Sequence, residues 1–151
     1  MKIGVAADHA GFEQKNQLVK ELTDAGYDVK DYGAYSYDPL DDYPDCVLPL
    51  ANAVAAQEVD KAIAVCGSGV GVSVAANKVP GVRAALVTES YSAHQGVEHD
   101  DMNMLCIGAR VIGPALIKEI VDAYLKAEYK GEERFARRLN KVLAIEKQHI
   151  Q

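Results

Sequence analysis

The run Cys66-Gly67-Ser68-Gly69-Val70-Gly71 joins a thiol to three glycines at alternate positions. A β-rich stretch, Ala62–Cys66, precedes it and a short helical stretch, Val72–Asn77, follows, so the run reads as the turn between a strand and a helix. Glycines in such a turn let the backbone approach a ligand closely. They also leave several N–H donors facing that ligand, which suits developing negative charge. The same donors favour the thiolate of Cys66, the form in which a cysteine acts as a base or nucleophile. The plainer alternative is a small buried side chain beside a tight turn.

Asp8-His9 follows the first β-rich run, Ile3–Ala7, and puts a carboxylate and an imidazole at a strand end. Histidine transfers protons near neutral pH and, when charged, binds phosphate. Alternatively, Asp8 caps a helix beginning near Gly11 and His9 is its exposed neighbour. His99-Asp100-Asp101-Met102-Asn103 stands just before the last β-rich run, at the opposite end of the sheet from Cys66 of the same chain. For His99 to act with Cys66 it must come from a second subunit. His94 reads as an ordinary helix residue. Three arginines remain as anion ligands. Arg110 follows the last strand, and Arg134 and Arg138, four apart, share a helix face on which planar guanidinium forks can grip a phosphate. Arg137 points about 100° away on the same helix and is the decoy.

Positioning these groups requires a sheet. The β-rich runs are Ile3–Ala7, Tyr27–Tyr32, Ala62–Cys66, Ala84–Val87 and Met104–Ile107, near-continuously apolar as befits parallel strands covered on both faces. Helical stretches alternate with them: Phe12–Ala25, Leu48–Gln57, Val72–Asn77 and Ala115–Leu125. A charged C-terminal helix, over residues 132–148, follows Gly131 and reads as a docking or oligomer contact. Ala34–Asp45, with two prolines and four aspartates, reads as a surface loop. The expected fold is α/β, a Rossmann-like three-layer αβα sandwich on a five-stranded parallel sheet, in a single domain spanning 1–151. In such sheets ligands sit beyond the carboxyl ends of the strands, where Asp8-His9, Cys66–Gly71 and Arg110 fall.

Composition narrows the function classes. The 151 residues include 16 Lys+Arg and 22 Asp+Glu, a net charge of −6, which argues against a nucleic-acid binder. At 49% hydrophobic residues the chain can build an ordinary core. Cys46, Cys66 and Cys106 cannot all pair and form no Cys-x-x-Cys array, pointing to a reducing, cytoplasmic setting. No apolar run approaches the ~20 residues of a membrane helix. A dinucleotide fingerprint is missing after the first strand, which continues Asp8-His9-Ala10-Gly11. A cysteine phosphatase is also disfavoured: position 72, where its anion-loop arginine belongs, is Val.

Taken together, Asp8-His9-Ala10-Gly11, Asp42-Tyr43-Pro44, Cys66-Gly67-Ser68-Gly69-Val70-Gly71, Ala75-Ala76-Asn77-Lys78, Gly81-Val82-Arg83-Ala84 and Gly108-Ala109-Arg110-Val111-Ile112-Gly113 resemble the ribose-5-phosphate isomerase B family, which also includes galactose-6-phosphate isomerase. The likeness runs in order from residue 2 to about residue 146. It implies a homodimer or dimer of dimers with active sites shared between subunits, no metal or organic cofactor, and a small sugar phosphate as substrate. It also implies aldose-ketose isomerisation, foremost ribose 5-phosphate to ribulose 5-phosphate, by ring opening and a cis-enediolate.

Carried over by resemblance, the base falls on Cys66 and the ring-opening group on His99. The enediolate cradle falls on Gly67, Ser68, Gly69, Val70 and Gly71. His9, Arg110, Arg134 and Arg138 fall at the phosphate, and Asp8 and Tyr43 at the sugar. Three features depart from the family pattern: Ser68 stands where threonine is frequent, the arginine pair comes one residue later, and Asp100 replaces the usual asparagine. An asparagine amide donates a hydrogen bond, whereas an ionised Asp only accepts, so Asp100 bears on which sugar is preferred. Isomerisation of a tetrose or hexose phosphate, or non-catalytic binding of a sugar phosphate, are the alternatives. A binding module has no need of a thiol at the strand end.

Overall fold

The computed structural model describes residues 1–150 and realises the α/β sandwich. Strands β1 (Lys2–Ala7), β2 (Asp28–Asp31), β3 (Lys61–Cys66), β4 (Ala84–Leu86) and β5 (Met104–Gly108) form one parallel sheet in the order β2-β1-β3-β5-β4. From β1 the chain winds outward to β2 and then back past β1 to β3. The winding therefore reverses between β1 and β3, where the carboxyl ends of a doubly wound sheet open a crevice.

Side chains alternate across the strands and give the two faces different textures. Ile3, Val5, Ile63, Val65, Leu105 and Ile107 face one way and pack on α1 (Phe12–Asp24), α4 (Ser90–Asp100) and α5 (Pro114–Lys126). Ala6, Ala62, Ala64, Cys66 and Cys106 face the other, beneath α2 (Tyr43–Ala55) and α3 (Val70–Ala76). The small residues on this second face let α2 lie close to the sheet: a Cβ on Gly4 would collide with the Leu50 Cδ1. Cys66 belongs to that face by its register, which turns its sulfur toward α3 and the start of α2. The last helix, α6 (Glu133–His149), packs on α4. Among the described residues, no helix is long and apolar enough to cross a membrane.

Two helices differ from the sequence expectation. The helix expected over Leu48–Gln57 begins at Tyr43, so the tail of the expected loop Ala34–Asp45 is helical. Proline suits a first turn, where its missing N–H costs nothing, and Pro44 occupies it. Pro49 lies inside the helix on its exposed side. The helix expected over Val72–Asn77 begins at Val70, which places Val70 and Gly71 in its first turn. Gly69 at φ 80° supplies the left-handed bend that starts it. β2 is also shorter than expected, Asp28–Asp31 rather than Tyr27–Tyr32.

Lys15 is fully buried. Its Nζ donates to both Asp31 oxygens at 3.0 and 2.8 Å and to the Ala34 carbonyl at 2.8 Å. These bonds tie α1 to the end of β2 and the chain leaving it, and satisfy a charge that burial would otherwise penalise. Gly11 packs against the sheet so closely that a Cβ there would fall 2.5 Å from the Val65 carbonyl oxygen and 2.7 Å from the Val65 Cγ1. Backbone cannot yield as a flexible side chain does. Gly11→Ala is therefore expected to cost about 1–3 kcal/mol, read as a lowered urea midpoint with an unchanged m value.

Candidate active site

The carboxyl ends of β1 and β3, where the winding reverses, gather most of the sequence candidates. Asp8, 6% exposed, receives N–H bonds at Oδ1 from Ala10 at 3.0 Å and Gly11 at 3.3 Å, capping the single 3₁₀ turn His9–Gly11. The capping alternative is thus realised, and it rigidly seats the turn that carries His9. The Asp8 N–H itself donates to the Val65 carbonyl at 3.3 Å, fastening the β1 end to β3.

Cys66 ends β3 at 5% exposure, and its Sγ accepts the Gly69 N–H at 3.0 Å. A sulfur bearing negative charge accepts such a bond more strongly than a neutral thiol. Ser68 is exposed, and its Oγ accepts the Val70 N–H at 3.2 Å, leaving its own O–H free to donate. Two of the loop amides expected to face a ligand are thus engaged within the loop. The N–H groups of Gly67, Ser68, Gly71 and Val72 meet no acceptor among the described residues.

Glycine is required here by proximity. A Cβ on Gly69 would fall 2.5 Å from the Leu86 Cδ1 and 2.9 Å from the Ile107 backbone carbon, and one on Gly108 would fall 2.5 Å from the Ser68 carbonyl oxygen. Beside Gly67 lie Ala10 and the Arg110 side chain, whose Cδ and Nη1 would be 3.5 and 3.6 Å from an added Cβ. Arg110 is anchored by its N–H to the Gly67 carbonyl at 3.0 Å. Over Gly71 lies the ring of Tyr43, 2.9 Å from where a Cβ would stand. Asp8, His9, Tyr43, Cys66, Gly67, Ser68, Gly69, Val70, Gly71 and Arg110 thus line one end of the sheet.

The other two cysteines are not equivalent to Cys66. Burial pushes the Cys106 thiol up to about 12, and burial reinforced by Asp41 pushes the Cys46 thiol up to about 12. Both are protonated at neutral pH. All three are free.

His99, Asp100, Arg134 and Arg138 lie elsewhere, where the end of α4 meets the start of α6. His99 stacks on the buried Phe135 at 3.9 Å and 17°, and Arg134 covers Phe135 with its Cζ 4.5 Å from the ring centroid. Phe135 thereby gathers an imidazole and a guanidinium into one cluster. The Nδ1 of His99 pairs with the Gln95 amide at 2.9 Å, and Lys130 joins α4 through Glu98 at 2.8 Å. Arg138 has no ion-pair partner among the described residues, whereas Arg137, the decoy, is held by Glu133 at 3.0 Å. Asp100 is exposed and borders a groove of about 810 Å³ whose other walls include Val142, Ile145 and Glu146.

Within this chain the candidate residues therefore form two separate groups at opposite ends of the sheet. Sequence reasoning missed Phe135, Gln95 and Asp41 because each acts through a side chain already singled out. An oxygen or nitrogen from each of Asp8, His9 and Asp41 lies within 4.8 Å of the others. Hydrogen bonds among these residues and to the 3₁₀ turn account for that cluster.

Comparison with known proteins covers the stretches that carry both groups. The family described as Ribose/Galactose Isomerase matches residues 3–142. The chain is 45% identical over 145 residues to ribose-5-phosphate isomerase B of Escherichia coli, covering 96% of each chain. It is 40% identical over 134 residues to a D-erythrulose-4-phosphate isomerase of Pectobacterium atrosepticum, covering 87% of this chain and 86% of that one. The solved structure of Clostridium thermocellum ribose-5-phosphate isomerase B superposes with a TM-score of 0.95 at 46% identity, covering 99% of this chain and 100% of that one.

Proposed function

The chain belongs to the ribose/galactose isomerase family, and from that premise we propose that it interconverts ribose 5-phosphate and ribulose 5-phosphate with Cys66 as the proton-transfer base. The observation that carries this reading is a thiol at the winding reversal of the sheet, bonded to the Gly69 N–H at 3.0 Å and flanked by Asp8, His9 and Arg110.

Once the sugar ring is open, the Cys66 thiolate takes the C2 proton. The C–H electron pair becomes the C1=C2 double bond, and the charge passes to O1. The free Ser68 O–H and the amides of Gly67 and Gly71 are the donors suited to that oxyanion. The O2 proton moves to O1, and the thiol returns its proton to C1 as the carbonyl re-forms at C2. One base suffices because both carbons lie on one face of a cis-enediolate. Asp8 and Tyr43 border the sugar, while His9, Arg110, Arg134 and Arg138 take the phosphate.

The two groups become one site if a second copy brings His99 and the α6 arginines over Cys66. This reading makes the protein a homodimer, alone or paired into a dimer of dimers, in a cytoplasmic setting. No metal or organic cofactor takes part.

A tetrose phosphate is the second reading, favoured by the Pectobacterium relative, with Asp100 as the departure from the family pattern that bears on the choice of sugar. An ionised carboxylate at position 100 prefers a neutral hydroxyl to an enediolate oxygen. The test measures kcat/KM for the parent and Asp100→Asn on ribose 5-phosphate and on four- and six-carbon sugar phosphates. Asp100→Asn is expected to raise the preference for ribose 5-phosphate over the tetrose phosphate about tenfold, the scale of one charged hydrogen bond. An identical profile removes Asp100 from specificity. A parent inactive on every sugar phosphate in the panel contradicts the isomerase reading itself.

A further inference from the structure

Asp41 lies just outside the Asp42-Tyr43-Pro44 motif, and its side chain is 15% exposed. Its Oδ1 accepts two hydrogen bonds from one residue: the His9 main-chain N–H at 3.1 Å and the His9 Nδ1 at 2.7 Å. Its Oδ2 receives the Cys46 thiol at 3.6 Å. Burial pushes the Asp41 carboxyl up, but the His9 side-chain and main-chain bonds outweigh it and hold the group below the usual carboxylate range. An ionised carboxylate has no proton to give, so the ring nitrogen facing it must carry one.

The ring is confined from another side. Tyr37 stands edge-on to His9 with centroids 6.4 Å apart at 82°, and Phe12 supports Tyr37 at 6.2 Å. Nε2 is consequently the ring nitrogen that no protein group engages among the described residues.

We propose that Asp41 is a positioning residue for phosphate recognition: it holds His9 with Nδ1 protonated and turns Nε2 toward the phosphate. The inference rests on the phosphate role given to His9 above. A phosphate monoester can bring its own proton to Nε2. His9 then either accepts a hydrogen bond from the phosphate O–H or takes that proton and sits as a cation between two anions. In both cases the Asp41 charge supports the contact without touching substrate.

The test compares the parent with Asp41→Ala, Asp41→Asn and His9→Gln. Inorganic phosphate is the competitive probe, turnover of ribose 5-phosphate gives kcat and KM, and imidazole ¹H–¹⁵N spectra, with signals identified through His9→Gln, report the ring proton. The parent is expected to show the His9 proton on Nδ1. Asp41→Ala should lose that signal and raise KM and the phosphate inhibition constant about tenfold, with kcat changed less than about threefold. Asp41→Asn, which keeps an acceptor but loses the charge, should fall between. A parent ring protonated on Nε2 alone overturns the inference, as does unchanged phosphate affinity in Asp41→Ala when His9→Gln weakens it. If His9→Gln itself leaves phosphate affinity at the parent value, the phosphate role of His9 fails, and the inference falls with it.

Discussion

Cys66→Ala is expected to lower kcat on ribose 5-phosphate by about 10³-fold or more, the scale of losing a positioned general base. KM should stay within a few-fold of the parent value, because sugar and phosphate are held by other residues. The substitution removes a single sulfur from a site 5% exposed, where β3 and α3 hold the loop on both sides. Loss of activity through unfolding is therefore not expected, and an unchanged circular dichroism spectrum and melting curve would separate the two. Cys46 and Cys106 cannot stand in for the missing base, since both thiols are pushed up to about 12. Turnover within tenfold of the parent would remove the thiol from the reaction.

The second large effect is a recovery. His99→Asn and Cys66→Ala are each expected to be inactive on ribose 5-phosphate, and mixing them should restore about a quarter of parent activity. In the proposed two-fold dimer each site would draw Cys66 from one subunit and His99 from the other. A hybrid of the two variants holds one site with both residues intact and one with neither. Random exchange makes about half the dimers hybrid, each with one working site of two. Recovery should appear only after subunit exchange and should be absent when each variant is cross-linked before mixing. The ring-opening role of His99 has a chemical control as well. An aldotetrose 4-phosphate has its O4 esterified and cannot close to a furanose, so any parent activity on that substrate should largely survive His99→Asn. No recovery on mixing would mean that the two groups do not meet across a two-fold axis.

Much of this arrangement was legible because chemistry and periodicity coincided. The β-rich run Ala62–Cys66 ahead of the glycines put the thiol at the carboxyl end of a strand, and the place of His99 just before β5 put it at the far end. Less legible were features set by tertiary contact. Pro44 reads as part of the surface loop Ala34–Asp45, yet it fits the N-terminal turn of α2, so Tyr43 stands on a helix rather than in a loop. Lys15 falls within the expected helix Phe12–Ala25, but its partners Asp31 and Ala34 are 16 and 19 residues away. Asp41 and His9 are 32 residues apart, beyond any local pattern. The edge position of β4 depends on β5 inserting beside β3, which no local propensity dictates.

Solvent exchange at carbon is the most direct probe of the central claim, that Cys66 carries the proton between C1 and C2. Parent enzyme and Cys66→Ala would be incubated with ribose 5-phosphate in deuterated buffer and followed by proton NMR. The parent should convert the sugar while its carbon-bound protons at C1 or C2 are replaced by deuterium. Cys66→Ala should show neither conversion nor exchange, while substrate linewidths still report binding. Exchange persisting at the parent rate in Cys66→Ala would contradict the account and assign the proton to another base.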